Sequence, residues 1–340
     1  MSSPSEQTLL ITGANGYVAL HIISEALTRG YNVRGTVRSA SSASKVLPVF
    51  ASHGPRFSVV VVPDLTNKDL YAPAFADTPA PVTGVINVAA PFSLKVDDPV
   101  TELLDPAVES AVTVLEATRK FGPNVRRIVN TSSFACIVDL SKGYRPGYTY
   151  TEKDWNPMTH EEAATADNAS AYCASKALAE KAMWNWVDKE KPPFSLTAIQ
   201  PPWIFGPHLT PIRDVSHLNE SSEAMWRLVD AKEVPAIDFA GFADVRVVAK
   251  AHLAAFERDE AAGERFLCGQ DFDYQTAVDV LRETMPQLRD RLPVGTPGAG
   301  KTQDIYHLDG SKAERILGIK YTPLEITLKD SFEQLLAAEA

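Results

Sequence analysis

Six short runs rich in β-branched residues alternate with stretches of helical periodicity over residues 8–202. The runs are TLLITG (8–13), NVRGTVR (32–38), FSVVVV (57–62), GVINVA (84–89), RRIVNTSS (126–133) and SLTAIQPP (195–202). Apolar residues recur at helical spacing in 17–29, 106–120 and 170–188 between them. Strands joined by crossover helices close into a parallel sheet covered on both faces, so the pattern predicts an α/β, doubly wound fold. Past Pro202 the pattern loosens into PPWIFGPHLTPIRD, rich in proline and turn residues. A helical stretch at 245–258 is expected to return to the main sheet, which makes the second lobe discontinuous in sequence.

The first strand runs directly into TGANGYVA, with Gly13, Gly16 and Ala19 at G-x-x-G-x-x-A spacing and an amphipathic helix behind them. Glycine at such a turn lets the backbone approach a pyrophosphate, and the helix N-terminus favours its negative charge. A small third residue lets the helix lie close on the sheet. Gly13, Asn15, Gly16, Tyr17 and Val18 are therefore candidate cofactor residues in a Rossmann-type domain. The end of the second strand discriminates between the two nicotinamide cofactors, since ribose hydroxyls call for an acid and a 2′-phosphate for a cation. Arg38 stands there, Lys45 follows, and no Asp or Glu occurs between Glu25 and Asp64. NADPH is the expected cofactor. The basic window also holds Arg29, Arg34 and Arg56, and a solvated basic face is the plain alternative.

Of the ten tyrosines only Tyr172, in AYCASK, has a lysine four residues on. On a helix that spacing puts the Tyr172 phenol and the Lys176 ammonium on one face. A free tyrosine titrates near pH ~10, and a neighbouring ammonium, together with an oxidised nicotinamide ring, is expected to lower that value enough for acid–base work. Ser133 ends the fifth strand, where ligands bind in sheets of this kind, and can hydrogen-bond a substrate carbonyl. Alone, the Tyr–Lys pair would describe an ordinary helix surface; with the glycine loop and Ser133 in this order it describes a reductase.

These residues carry a resemblance. TGANGYVA, the Asp64–Leu65 pair, TSS at 131–133, YCASK and PPWIFGP resemble the extended short-chain dehydrogenase/reductases. VRGTVR with Lys45, and FADVRVVAKAHLAAFE directly after Gly241, resemble the dihydroflavonol-reductase-like branch, which includes fungal and yeast carbonyl, ketone and methylglyoxal reductases. The resemblance covers nearly the whole chain. It implies that Ser133 polarises the carbonyl, Tyr172 donates the proton, and Lys176 holds the ribose and lowers the tyrosine pKa. It also implies Asp64 and Leu65 near adenine, Ala89 beside the dinucleotide, and Pro201 through Ile204 against the nicotinamide amide. An NADP-binding domain at 1–202, with 239–258 returning to it, and a substrate lobe at 203–238 and 259–340 follow. Two positions depart from the pattern. Asn87 replaces a histidine, and Thr113 replaces an asparagine of the long helix, leaving the proton relay open.

Other classes fit less well. A net charge of -10 disfavours nucleic acid and anionic membranes as partners. The start MSSPSEQ has no secretory pattern, and the aliphatic run 59–62 is too short to span a bilayer. Cys136, Cys173 and Cys268 lie far apart, and none of the seven histidines forms an HExxH, so neither disulfides nor a metal site is expected. A cytoplasmic enzyme, monomeric or homodimeric, is the expectation. GTPGAGKT (295–302) matches the phosphate-loop pattern letter for letter, but charged, proline-broken sequence precedes it and no helical pattern follows, so it reads as a surface connection. A sugar-nucleotide epimerase or dehydratase would carry other residues after the serine than SSFACIVD, and a non-enzymatic NADP sensor would need no proton donor. For the substrate, a medium-sized and mainly apolar carbonyl compound is expected, against Phe92, Phe134, Trp203, Phe205, Met225 and Trp226.

Overall fold

The computed structural model describes residues 3–76, 79–90, 96–302 and 304–339. Its strands are β1 (Thr8–Ile11), β2 (Asn32–Val37), β3 (Phe57–Val61), β4 (Val82–Asn87), β5 (Arg127–Thr131), β6 (Thr149–Tyr150), β7 (Ser195–Gln200), β8 (Trp203–Phe205), β9 (Gly241–Asp244), β10 (Arg265–Leu267), β11 (Gln270–Asp271) and β12 (His307–Leu308). Among the described residues seven of them form one sheet in the order β3-β2-β1-β4-β5-β7-β10. Every pairing in it is parallel. The chain order reverses between β1 and β4, which opens a crevice at their carboxyl ends. The six sequence-derived strands are thus β1 to β5 and β7, in the expected architecture.

Helices α1 (Tyr17–Thr28), α2 (Ala40–Val46), α3 (Asp105–Phe121), α4 (His160–Ala163), α5 (Asn168–Glu190), α6 (Glu220–Trp226), α7 (Val245–Glu257), α8 (Tyr274–Thr284) and α9 (Leu324–Glu339) complete the fold. On one face of the sheet, Ile22, Ile23 and Ala26 of α1 and Val247, Ala251 and Phe256 of α7 share a buried cluster with Leu9, Ile11 and Ile86. The other face buries Leu10, Val85 and Ile128 under Val114 and Leu115 of α3 and Met183 of α5. Burial on both faces explains why these strands read as continuous apolar runs. The predicted return of α7 to the main sheet is what the clusters record.

The second lobe has its own core. Phe205, Phe242 and Phe272 pack with Leu281 of α8 and Leu328 and Phe332 of α9. A three-stranded sheet, β11-β9-β8, links this core to the end of β7. The boundary at residue 259 needs one correction. β10 falls in the stretch expected to belong to the second lobe, yet it pairs with β7 as the edge of the main sheet. Three residues after a helix and a turn offer too short a run to show the period of a strand.

GTPGAGKT has none of the context of a phosphate loop. Among the described residues no strand enters it, and its end forms only a short 3-10 turn (Ala299–Thr302) ahead of β12. Its Thr296 and Gly298 N–H groups donate to Gln275 Oε1 at 2.9 Å and Asp279 Oδ2 at 2.8 Å, both on α8. Donors already satisfied by a carboxylate and an amide are not aimed at a phosphate.

Gly84 of β4 lies under α7, and a Cβ there would come within 2.2 Å of the Phe256 ring. Overpacking a closed core costs typically about 1–3 kcal/mol. Gly84→Val should therefore lower the free energy of unfolding by about that amount in a denaturant titration. An unchanged midpoint would show that α7 does not press on the sheet at this point.

Candidate active site

Where β5 ends, Ser133 caps a short 3-10 turn (Phe134–Cys136), its Oγ accepting the Ala135 N–H at 3.1 Å. Asp167 caps α5 by accepting the N–H groups of Ala169 and Ser170, so Tyr172 and Lys176 project from the first turns of a fixed helix. The structure brings the three together. Tyr172 and Ser133 are joined by a hydrogen bond between their side chains. Lys176 Nζ stands 5.6 Å from the centre of the Tyr172 ring.

Both titrating groups are shifted by their surroundings. Burial pushes the Tyr172 phenol well above its ordinary value, and the bond to Ser133 opposes this. The lowering expected from the sequence counted on an oxidised nicotinamide ring as well as on Lys176. From the protein's own groups, burial outweighs any help from Lys176, and the phenol is held protonated. Burial also pulls the Lys176 ammonium down, to about 8.

The nucleotide side is built around the crevice between β1 and β4. Gly13 has φ +67, and a Cβ there would press on Ala89 at 3.2 Å, so the turn admits nothing larger. Gly16 is the N-cap of α1 and no side chain caps the helix, whereas α5, α7 and α8 open on Asp167, Asp244 and Asp273. The first-turn N–H groups of α1 are thus left for an anion. Asn15 is exposed at the tip of the loop, and Val18 packs on the core. Tyr17 turns toward the second lobe, its hydroxyl donating to the Gly206 carbonyl at 2.8 Å and its ring lying 4.7 Å from that of His208.

Asn87 has a structural account. It accepts from Thr12 Oγ1 at 2.8 Å and donates to Asn130 Oδ1 at 2.9 Å, joining the ends of β1, β4 and β5. Thr12 Oγ1 in turn accepts the Val88 and Ala89 N–H groups at 2.9 Å each. Thr113 is turned to the loop after β3, donating to the Thr66 carbonyl at 3.2 Å. In the same loop Asp64 is exposed and accepts from the Thr66 N–H and hydroxyl, while Leu65 packs on the core.

The basic window divides in two. Arg29 is paired with Glu25 and Glu257, Arg34 is buried against the Ala74 and Ala76 carbonyls, and Arg56 donates to Leu27. Arg38 and Lys45 are exposed and have no ionic partner among the described residues. Two unpaired cations, one just past β2 and one in the last turn of α2, fit a dinucleotide carrying a 2′-phosphate. The residues present thus suit NADPH: Gly13, Gly16 and the α1 amides for its pyrophosphate, Arg38 and Lys45 for its extra phosphate.

A cavity of about 440 Å³ opens over Ser133, Tyr172 and Lys176. Phe134 and Trp203 border it, as do the expected cofactor positions Pro201 and Ile204. Phe134 does so from behind, since its ring has no exposed surface and packs on Tyr150, Phe239 and Tyr306. Phe205, Met225 and Trp226 are corrections: they pack into the core of the second lobe. From α6 and its C-cap, Glu220, Ser221, Glu223, Ala224 and Arg227 border the cavity. Met225 and Trp226 are not among them. Phe92 lies outside the described residues. Phe239 and Asp238, also on the cavity wall, were not anticipated, because nothing in IDFAGF marks them from a connecting loop.

The expectation of few charges is modified too. Arg227 and Asp238 form an ion pair at 3.0 Å on the wall, and Asp238 Oδ1 accepts the Trp203 indole N–H at 3.0 Å. A further group beneath the site escaped the sequence reading. Glu180, four residues past Lys176, is 1% exposed and paired with Arg265 at 2.6 Å. Its spacing from Lys176 was the available signal. Among the described residues no group of three or more His, Cys, Asp or Glu could hold a metal ion, and no helix is long and apolar enough to cross a membrane.

Comparison with known proteins now decides the family. Residues 9–269 match the NAD dependent epimerase/dehydratase family. The chain belongs to this family. It is 35% identical to the NADPH-dependent methylglyoxal reductase GRE2 of Saccharomyces cerevisiae, covering 98% of this chain and 99% of that one. Ketoreductase azaE of Aspergillus niger is 32% identical over 96% of this chain and 97% of its own length. The structure of yeast methylglyoxal/isovaleraldehyde reductase Gre2 complexed with NADPH superposes with a TM-score of 0.90 at 34% identity, over 98% of this chain and 99% of that one. Vestitone reductase from alfalfa, at 21% identity and a TM-score of 0.77, shares the fold.

With a pKa of about 8, Lys176 is half neutral near that pH, below the ordinary lysine range. Its acylation by an amine-directed reagent, followed by peptide mass spectrometry, should rise with a midpoint near pH ~8, and NADPH should slow it. A midpoint at the ordinary value of ~10.4 would show that the ammonium is solvated.

Proposed function

We propose that this chain reduces an aldehyde or ketone to an alcohol with NADPH, Ser133, Tyr172 and Lys176 carrying out the protein's part. The observation that carries the reading is the Ser133–Tyr172 hydrogen bond on the wall of the cavity, with the Lys176 ammonium behind the phenol. A full-length likeness to a reductase described as complexed with NADPH supports it.

NADPH supplies the hydride when bound. The chain's own groups do the rest. Ser133 Oγ offers a hydrogen bond to the carbonyl oxygen, drawing electron density from the carbon. Tyr172, kept protonated by burial, gives its proton to that oxygen as negative charge develops there. Lys176 places positive charge near the phenolate left behind and makes its formation easier. The apolar wall of Val88, Pro201, Ile204, Phe239 and Trp203 excludes water and leaves an uncharged substrate favoured. Gly13, Gly16 and the first turn of α1 hold the cofactor side, and Arg38 with Lys45 select the phosphorylated dinucleotide. In this reading the reacting centre lies between a cofactor domain and a second lobe. The stretch SSFACIVD, with no acidic pair directly after Ser133, speaks against an epimerase or dehydratase reading.

Tyr172→Phe should lower turnover by about 100-fold or more with NADPH affinity nearly unchanged, because a positioned acid contributes at least that much. Turnover within a few-fold of the unmodified protein, measured by NADPH absorbance on a panel of aldehydes, diketones and aryl ketones, would remove Tyr172 from the mechanism. Arg38→Asp should erode or reverse a preference for NADPH over NADH, since attraction to the phosphate becomes repulsion. Equal kcat/KM with both cofactors before substitution would contradict the assignment. Trp203→Ala should shift efficiency from small diketones toward bulky aryl ketones; an unchanged ratio would place the substrate elsewhere.

A further inference from the structure

Directly beneath the reacting groups sits a buried carboxylate with five donors. Glu180 accepts from Ser132 Oγ, from Cys136 Sγ at 3.0 Å, from Gln200 Nε2 at 3.0 and 3.1 Å, from Trp184 Nε1 at 3.1 Å and from Arg265 Nε at 2.6 Å. Three of these donors stand at strands of the main sheet. Ser132 precedes Ser133 at the end of β5, Gln200 precedes Pro201 at the end of β7, and Arg265 opens β10. Glu180 itself lies one turn beyond Lys176 and two beyond Tyr172, on their face of α5. Burying a carboxylate is costly, and well-packed apolar residues often stabilise a core as well or better. What a multi-acceptor anion provides here is a fixed distance between strand ends and helix.

We propose that Glu180 is a positioning residue, holding Ser132 and Gln200 against α5 so that Ser133 and Tyr172 meet in one geometry. This rests on the assignment of Ser133 and Tyr172 above. The site has room to lose that geometry. A chamber of about 30 Å³, bordered by Asn130, Ser132, Lys176 and Glu180, lies alongside, and the end of β5 can relax into it once the tie is cut. Arg265 would remain held without Glu180, because it also donates to the Glu152 and Asp154 carbonyls and lies 3.5 Å from the Trp155 ring. Glu180→Gln is thus an isosteric change that weakens the tie while keeping its neighbours in place, and Ser132→Ala cuts a single strand of it.

Small misplacements of reacting groups cost up to about 100-fold in rate. Glu180→Gln should lower kcat about 10-fold, and Ser132→Ala several-fold, while the Kd for NADPH, read by fluorescence titration, moves less than about twofold. The deciding measurement is the double variant with Tyr172→Phe. If Glu180 acts through the Ser133–Tyr172 geometry, Glu180→Gln should cost little further once the phenol hydroxyl is gone. Losses that multiply independently, or a kcat for folded Glu180→Gln within twofold of the unmodified protein, would overturn the proposal. Should Glu180→Gln fail to fold, Ser132→Ala in the same cycle decides it. Retention of activity by Tyr172→Phe alone would instead refute the assignment of the acid.

Discussion

All strands of the main sheet point one way, and everything at the site follows from that constraint. Parallel strands present all their carboxyl ends at one edge, so Gly13, Ala89, Ser133 and Pro201, each just past a strand, gather without any long-range contact between their side chains. The reversal of order between β1 and β4 then opens a crevice at this edge. The Thr12–Asn87–Asn130 chain of hydrogen bonds keeps three of the strand ends level. Helices on both faces hold the sheet dry, and α5 delivers Tyr172 and Lys176 to the same edge from below.

Much of this was legible in the sequence because it rests on local periods. Strand runs, the glycine turn and the four-residue spacing of Tyr172 and Lys176 are each short-range signals, and the structure places them together as expected. What was not legible depends on tertiary partners. Phe205, Met225 and Trp226 are aromatic or apolar in a segment near the cavity, and composition alone made them wall residues. The wall is formed by other residues of α6, and only its neighbours α8 and α9 determine which those are. Three-residue β10 is a strand solely because β7 offers it an edge. Within the basic window, sequence could not separate Arg34, whose donors are used internally, from Arg38, whose donors are not.

The tyrosine illustrates how burial overrides a pairwise expectation. A lysine four residues away suggests a lowered pKa, yet taking the phenol out of water raises it by more. The two effects oppose each other: burial favours the protonated phenol, and a positive charge at Lys176 favours the phenolate.

Trp203 is braced on three sides: by the Asp238 carboxylate at its indole N–H, by Phe205 stacked at 6.3 Å and by the edge of Phe239 at 6.0 Å. Its rotamer is therefore chosen during folding, along with the width of the slot it bounds. A guest meeting such a wall spends none of its binding energy on ordering it, and finds no give in it either. Selection among guests becomes a matter of outline, settled before any of them arrives.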